Sequence, residues 1–145
     1  MAQLGEWINE LPALVRAAAQ GNISETANLL GAGSDPNEAD EDGWTAVHAA
    51  GVFNHLQIVK LLLQAGAAVD SRSLDGFTPL LNAARAEAPV VTALLNAGAD
   101  PAAQEARLGW RPLDRFAEYA NATAVRLLLD AGAEVDARDF PARPR

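Results

Sequence analysis

The chain has 145 residues, 50% of them hydrophobic, which suits one compact domain with an apolar core. It contains no cysteine, so disulfides, thiolate metal sites and cysteine nucleophiles are excluded. Its formal net charge of −8 argues against binding of nucleic-acid phosphates or anionic lipid and favours a basic protein partner.

The start of the chain shows no sign of a secretory leader or a membrane anchor. The first ten residues include Glu6 and Glu10 but no basic residue, whereas a secretory leader begins with positive charge. No apolar run is long enough to span a bilayer. We therefore expect a soluble, cytoplasmic protein.

Further along, glycines recur with a period near 33 residues, which indicates an internal repeat. One series has spacings of 33 residues, and an aromatic residue follows each glycine. A second series follows leucine-rich segments, with spacings of 33, 32 and 34. We expect the missing residue near positions 86–88 and the extra one within 101–108. The first series is Gly43, Gly76 and Gly109, and the second is Gly33, Gly66, Gly98 and Gly132.

Each unit of the repeat is predicted to contain two short helices and a loop. Thr78 can cap the first helix and Pro79 can occupy its first position, since proline there sacrifices no hydrogen bond. A polar break such as Asn54 separates the helices, and a glycine such as Gly66 ends the second one in a left-handed conformation. About ten polar and small residues then form an extended finger. Helices of about eight residues bury little alone, so stability requires stacked units.

The residues of the second unit resemble the ankyrin repeat family. Asp40 to Ala50, followed by Val59 to Ala67, is similar to the family patterns D-x-x-G-x-T-P-L-H-x-A and L-L-L-x-x-G-A. The resemblance implies an all-α ankyrin-repeat solenoid of stacked helix-turn-helix units with β-hairpin-like finger loops. It divides a single domain, residues 1–145, into repeats at about 10–42, 43–75, 76–108 and 109–141.

The two ends of the array depart from the family pattern, as terminal repeats are expected to do. The first repeat lacks the Gly-x-Thr-Pro segment and resembles a capping repeat, and we expect Leu4, Trp7 and Ile8 to cover its open apolar edge. At the other end no further helix pair follows Asp139. We expect part of the face containing Val125, Leu128 and Leu129 to be uncovered, which leaves a monomer or a weak homo-oligomer through this repeat.

The fourth repeat also departs from the pattern internally. Arg111 replaces the capping threonine and Asp114 replaces the motif histidine. The loss of the threonine cap alone predicts a loss of about 1 kcal/mol of stability. Phe116 occupies a position where the second and third repeats have Ala50 and Ala83. We therefore expect this repeat to be packed differently from the others.

Catalysis has little support in the sequence. The resemblance assigns His48 to the motif histidine that braces the turn, while His55 begins a second helix. The acidic run from Asp35 to Asp42 does not fit a calcium loop, because Asp40 stands where glycine is required and Ala46 where glutamate is required. We predict no catalytic residue, metal site or cofactor.

The resemblance implies instead a protein-binding surface formed by finger tips and by the exposed side of each first helix. Several of these positions hold aromatic residues, which are frequent at interface hot spots. The aromatic residues after the turn glycines have two open interpretations, partner contact or packing within the fingers. The tip positions are Glu41, Asp42, Trp44, Leu74, Asp75, Phe77, Arg107, Leu108 and Trp110, and the helix positions are Phe53, Arg85, Glu118 and Tyr119.

We therefore predict a non-catalytic protein–protein interaction module. The alternative is a small acidic inhibitor or immunity-type protein that blocks the active site of a basic protein. Residues 1–42 carry a net charge of −7 and residues 43–145 a net charge of −1. A basic partner is accordingly expected to be attracted to the N-terminal half.

Overall fold

The computed structural model describes residues 9–134, which excludes Leu4, Trp7 and Ile8. Eight helices lie wholly within this range and form four consecutive pairs. The same range holds no extended strand, and Ala39 and Thr45 form an isolated antiparallel bridge. The predicted all-α class is confirmed. The helices are α1 (Ala13–Gln20), α2 (Ile23–Gly31), α3 (Ala46–Val52), α4 (Leu56–Gln64), α5 (Pro79–Asn82), α6 (Ala88–Asn96), α7 (Pro112–Glu118) and α8 (Ala122–Asp130).

The four pairs are stacked in two layers. The first helices (α1, α3, α5 and α7) contact one another in succession, the second helices (α2, α4, α6 and α8) do the same, and the members of each pair contact each other. Apolar side chains between the layers form one continuous core, in which Val47, Leu62, Leu80 and Leu94 are fully buried. Each short helix is therefore stabilised mainly by its neighbours.

The helix ends follow the signals in the sequence. The Thr78 hydroxyl accepts a hydrogen bond from the Leu81 N–H at 3.2 Å, and Pro79 begins α5. Asn121 caps α8 in the same way through the Ala124 N–H. Gly66 follows α4 with φ of +93°, a left-handed conformation that glycine adopts without strain.

The two irregular spacings also have structural counterparts. In the second repeat the first helix begins at Ala46 and the second at Leu56, ten residues later. In the third repeat the corresponding helices begin at Pro79 and Ala88, only nine residues apart. The third repeat therefore lacks a residue before α6, and its first helix, α5, has only four residues.

The fourth repeat replaces the contact of the motif histidine by that of a carboxylate. The carboxylate Oδ2 of Asp114 accepts the Arg111 N–H at 2.8 Å, as the His48 ring accepts the Thr45 N–H in the second repeat. Phe116 is fully buried in α7. The Asp114 carboxylate thus accepts the same backbone N–H group that the motif histidine accepts in the second repeat.

The predicted open face at the C-terminal end is only partly present among the described residues. Leu129 is 40% exposed and Val125 is half-buried, but Leu128 is fully buried. Leu128 lies on the core side of α8, together with Ala124 four residues earlier, so the uncovered part of this face is the part that carries Leu129.

Candidate functional site

The three fingers between successive repeats are joined to one another through their backbones. The Leu74 N–H donates to the Asp42 carbonyl, and the Ala106 N–H donates to the Asp75 carbonyl, both at 2.9 Å. A Cβ added at Gly76, where φ is +80°, would lie 2.9 Å from the Ala106 N, so glycine is required at this contact. The tips of the three fingers therefore lie side by side.

Each finger is closed by a hydrogen bond between backbone groups and by a side chain at its base. The Asp40 carboxylate accepts the N–H groups of Asp42 and Trp44 at 2.9 and 2.8 Å. In the second finger, the Ser73 hydroxyl accepts the Phe77 N–H at 3.1 Å. These short polar side chains hold the tip residues in fixed positions.

Glu105 closes the third finger and was not identified from the sequence. The Asp40 N–H bonds to the carbonyl four residues ahead, but the Glu105 N–H bonds to the Trp110 carbonyl, five residues ahead. The extra residue of the repeat thus lies in this finger. The longer glutamate side chain reaches across it and accepts the N–H groups of Arg107, Leu108 and Trp110 at 2.7 to 3.0 Å.

The charge of Glu105 is stabilised by this arrangement. Burial alone would raise its pKa, but the N–H groups of Trp110, Arg107 and Leu108, assisted by the nearby Arg115, outweigh burial and lower the pKa below 4.5. The predicted tip residues Arg107 and Leu108 are thereby fixed while their own side chains remain exposed. An acidic residue at the base position of a lengthened finger was the available signal in the sequence.

The predicted surface residues differ in their exposure. Trp44, Phe77 and Trp110 are half-buried. The Trp44 ring stacks on the His48 ring with centroids 6.2 Å apart, so part of its surface is used within the repeat. The remaining predicted positions are all exposed: Glu41, Asp42, Phe53, Leu74, Asp75, Arg85, Arg107, Leu108, Glu118 and Tyr119.

Exposed apolar side chains are concentrated on this surface. Six large hydrophobic residues are exposed among those described, and four of them occupy predicted binding positions. Leu74 and Leu108 at the finger tips are 75% and 66% exposed, and Phe53 and Tyr119 at the ends of α3 and α7 are 43% and 45% exposed. Such exposure in one region is typical of an interaction surface.

Acidic residues surround a depression at the N-terminal end. A cavity of about 350 Å³ lies between the start of α1 and the first finger, and Leu11, Pro12 and Ala39 form its apolar wall. The acidic lining consists of Glu10, Asp40, Glu41 and Asp42. The local charge is therefore strongly negative where the sequence predicts attraction of a basic partner.

His48 connects the second repeat to the next finger. Its Nε2 donates to the Phe77 carbonyl at 2.8 Å, so its Nδ1 accepts the Thr45 N–H at 3.2 Å. A proton on Nδ1 would face that N–H donor. Burial lowers the pKa of His48 below 6.5, against opposing contributions from the Phe77 carbonyl, Asp40 and the Ser71 carbonyl.

The lowered pKa predicts a stability that depends on pH. Above pH 6.5 both states hold a neutral ring, whereas below it the unfolded chain binds a proton that the folded protein does not accept. We expect the free energy of unfolding to fall as pH decreases from 7.5 to 5.5, with a slope of at most about 1.4 kcal/mol per pH unit. Urea unfolding at several pH values measures this slope. The slope should vanish in His48→Gln and persist in His55→Gln. An unchanged slope in His48→Gln would show that His48 is not the source of the pH dependence.

Two structural features are absent from residues 9–134. No group of three or more His, Asp or Glu side chains is placed to hold a metal ion there. None of the helices in the same range has the length and apolar character needed to cross a membrane.

Comparison with known proteins agrees with the fold. Residues 14–105 match the family model for ankyrin repeats in three copies, and the chain belongs to the ankyrin repeat family. Members of this family are in general protein–protein interaction modules.

Relatives of known sequence contain this region as part of longer chains. The putative palmitoyltransferase ZDHHC13 of Danio rerio is 36% identical over 138 residues, which cover 92% of this chain and 21% of that protein. Ankyrin repeat and SOCS box protein 3 of Homo sapiens is 32% identical, with 85% of this chain and 31% of that protein covered. NF-kappa-B inhibitor delta of Mus musculus is 31% identical, with 81% of this chain and 43% of that protein covered. The chain thus spans less than half the length of each of these relatives.

Proposed function

We propose that this chain is a non-catalytic module that binds a protein partner on the surface formed by the finger tips and the ends of the first helices. The observation that supports this proposal is the placement of Leu74, Leu108, Phe53 and Tyr119, four of the six exposed large hydrophobic residues in the described part of the chain. Burial of these side chains against a partner would supply a hydrophobic contribution at sites already held in place by the fold.

The structure offers a matched test of this surface. Phe53→Ala and Tyr119→Ala are each expected to weaken binding by about 2 kcal/mol if they are hot spots, which is roughly thirtyfold in Kd. Ile23 and Leu129 are similarly exposed, at 48% and 40%, but lie on the second helices α2 and α8. Ile23→Ala and Leu129→Ala should leave Kd unchanged.

The measurement begins with affinity capture of the partner from the native host. The identified partner is purified, and its Kd for each variant is determined by calorimetry. Circular dichroism verifies that the variants remain folded. Two results would contradict this assignment of the surface. One is an affinity that falls as much in Ile23→Ala and Leu129→Ala as in Phe53→Ala and Tyr119→Ala, and the other is an affinity that none of the four substitutions changes.

A narrower role is supported by the acidic cavity at the first finger. The four carboxylates around it could receive a basic side chain, as a small acidic inhibitor of a basic enzyme would require. In that case the identified partner is an enzyme, and stoichiometric addition of the chain abolishes its activity. Undiminished enzyme activity in the complex would exclude this role.

A further inference from the structure

Two arginines and two aromatic rings form a cluster between the second finger and the last helix pair. The Arg115 guanidinium lies 4.9 Å from the centre of the Phe77 ring and 5.8 Å from that of Tyr119. The Arg85 guanidinium lies 5.3 Å from the same Tyr119 ring. We call Phe77, Arg85, Arg115 and Tyr119 the arginine–aromatic cluster. Two positive charges therefore share one tyrosine ring within an otherwise acidic protein.

The Arg115 side chain is held in place before any partner arrives. Its Nε donates to the Leu81 carbonyl at 2.9 Å, and the two rings contact its guanidinium. Its terminal nitrogens have no acceptor among the described residues and are not enclosed. Stacking on aromatic faces leaves the edge of a guanidinium available for hydrogen bonds, and it reduces the rotamer freedom lost on binding.

No carboxylate neutralises these two charges at close range. Within residues 9–134, neither Arg85 nor Arg115 has a carboxylate oxygen within 4.0 Å. Glu105 is near enough to Arg115 for their charges to interact, but its two oxygens are held by N–H groups of the third finger and form no ion pair with Arg115. Glu87 and Glu118 are exposed nearby without an ion pair to the cluster. The positive charges of both guanidinium groups are therefore available to a visiting anion.

The surroundings favour an anion carried by a protein segment. A cavity of about 500 Å³ adjoins Arg85 and Tyr119, and its wall consists of Ala84, Ala86 and Ala88 together with the polar residues Glu87, Asn121 and Thr123. Phe53 is exposed at the end of the neighbouring helix α3, and Leu108 is exposed at the tip of the third finger. A free phosphate would use none of these apolar contacts. A peptide with an acidic residue beside an apolar one would use both the charged arginines and the apolar side chains.

We propose that the arginine–aromatic cluster binds an aspartate or glutamate carboxylate in an extended segment of the protein partner. This inference rests on the proposed function, since it uses the same surface. Arg85 and Arg115 donate to the carboxylate oxygens, and the side chain next to the acidic residue enters the adjoining cavity. Glu87 and Glu118 select against long acidic runs by repulsion, so the cluster recognises one or two carboxylates.

Peptide selection on the intact chain tests this proposal. A displayed library of random 12-residue peptides is selected on the immobilised wild-type protein, and bound peptides are sequenced. We expect enrichment of aspartate or glutamate beside an apolar residue. For a synthetic selected peptide, Arg85→Gln and Arg115→Gln should each raise Kd about tenfold, the usual scale for a lost charge-assisted hydrogen bond. Replacing the peptide's acidic residue by its amide should have a similar effect.

A control variant of equal charge separates this site from general electrostatic attraction. Lys60→Gln removes one positive charge from the exposed side of α4, as Arg85→Gln does from the cluster, and should leave Kd unchanged; Arg126→Gln on α8 serves in the same way. Arg85→Gln alone keeps the Arg115 bond to Leu81, so it remains informative if Arg115→Gln unfolds.

Four results would overturn the proposal. These are no acidic enrichment, equal binding of acidic peptides to Arg85→Gln and wild type, an equal loss in the control variant, and tighter binding of inorganic phosphate than of the peptide. Selected peptides that lack acidic residues but depend on Phe53 would overturn the binding of a carboxylate by the cluster while leaving the proposed function intact. Peptides that depend on neither would contradict both.

Discussion

Replacement of Phe116 by alanine is expected to lower the free energy of unfolding by about 3–5 kcal/mol. The Phe116 side chain is fully buried, and it is the largest such side chain among the described residues. The corresponding positions of the second and third repeats hold Ala50 and Ala83, so the space around Phe116 is built for an aromatic ring in this repeat alone. Its removal leaves a cavity that the short neighbouring helix α5 cannot fill without breaking its own contacts.

Tyr119 supplies a matched control, since it follows Phe116 by three residues at the end of α7 and is 45% exposed. Tyr119→Ala should cost less than about 1 kcal/mol, the scale of a surface cation–π contact. Urea unfolding followed by circular dichroism gives both values. Amide hydrogen exchange in Phe116→Ala should increase first in α7 and α8, because each repeat is stabilised mainly by its neighbours. Equal losses in the two variants would show that Phe116 does not support the core.

The fold was predictable because its signals are local. Thr78 with Pro79 starts a helix, and Gly66 stops one, through backbone requirements that any tertiary setting preserves. The missing residue before α6 and the extra one in the third finger could be located from the glycine spacings alone. Repetition supplied the rest, since stacked units must bury the same faces in each repeat.

Glu105 and Arg115 were missed because their roles depend on geometry that spacing does not reveal. Glu105 reaches the backbone of its finger only because one extra residue lengthens the turn. Arg115 lies on α7 but contacts Phe77 and the Leu81 carbonyl, which belong to the preceding repeat. The direction of a long, flexible side chain across a repeat boundary is a tertiary property.

The charges of the protein are distributed unevenly over the proposed binding surface. The first finger and the start of α1 place four carboxylates around a cavity, whereas the arginine–aromatic cluster presents two guanidinium groups among the last repeats. Complementary charges at two ends of an interface favour one orientation of the partner over its reverse. Glu10, Glu41 and Asp42 are exposed, so their main influence is on the rate at which the two proteins encounter each other.

Reversal of charge at the first finger is therefore expected to slow association. Glu38, Glu41 and Asp42 are exposed, and replacing all three by lysine leaves the turn intact because the Asp40 carboxylate still accepts its two N–H groups. With a basic partner, the association rate at low salt should fall by about an order of magnitude while the dissociation rate stays nearly constant. At physiological salt the difference should shrink, since the Debye length is then about 8 Å.

The control for this experiment carries the same change of charge elsewhere. Glu25, Asp130 and Glu134 are exposed and lie outside the first finger, and their replacement by lysine should slow association much less. Surface plasmon resonance with the captured partner at several salt concentrations separates the two rates, and far-ultraviolet circular dichroism verifies the fold. If the association rate ignored both salt and the reversal at the first finger, the acidic end would have no part in recognition. If both triple variants slowed association equally, only net charge would matter, and the position of the carboxylates around the cavity would not.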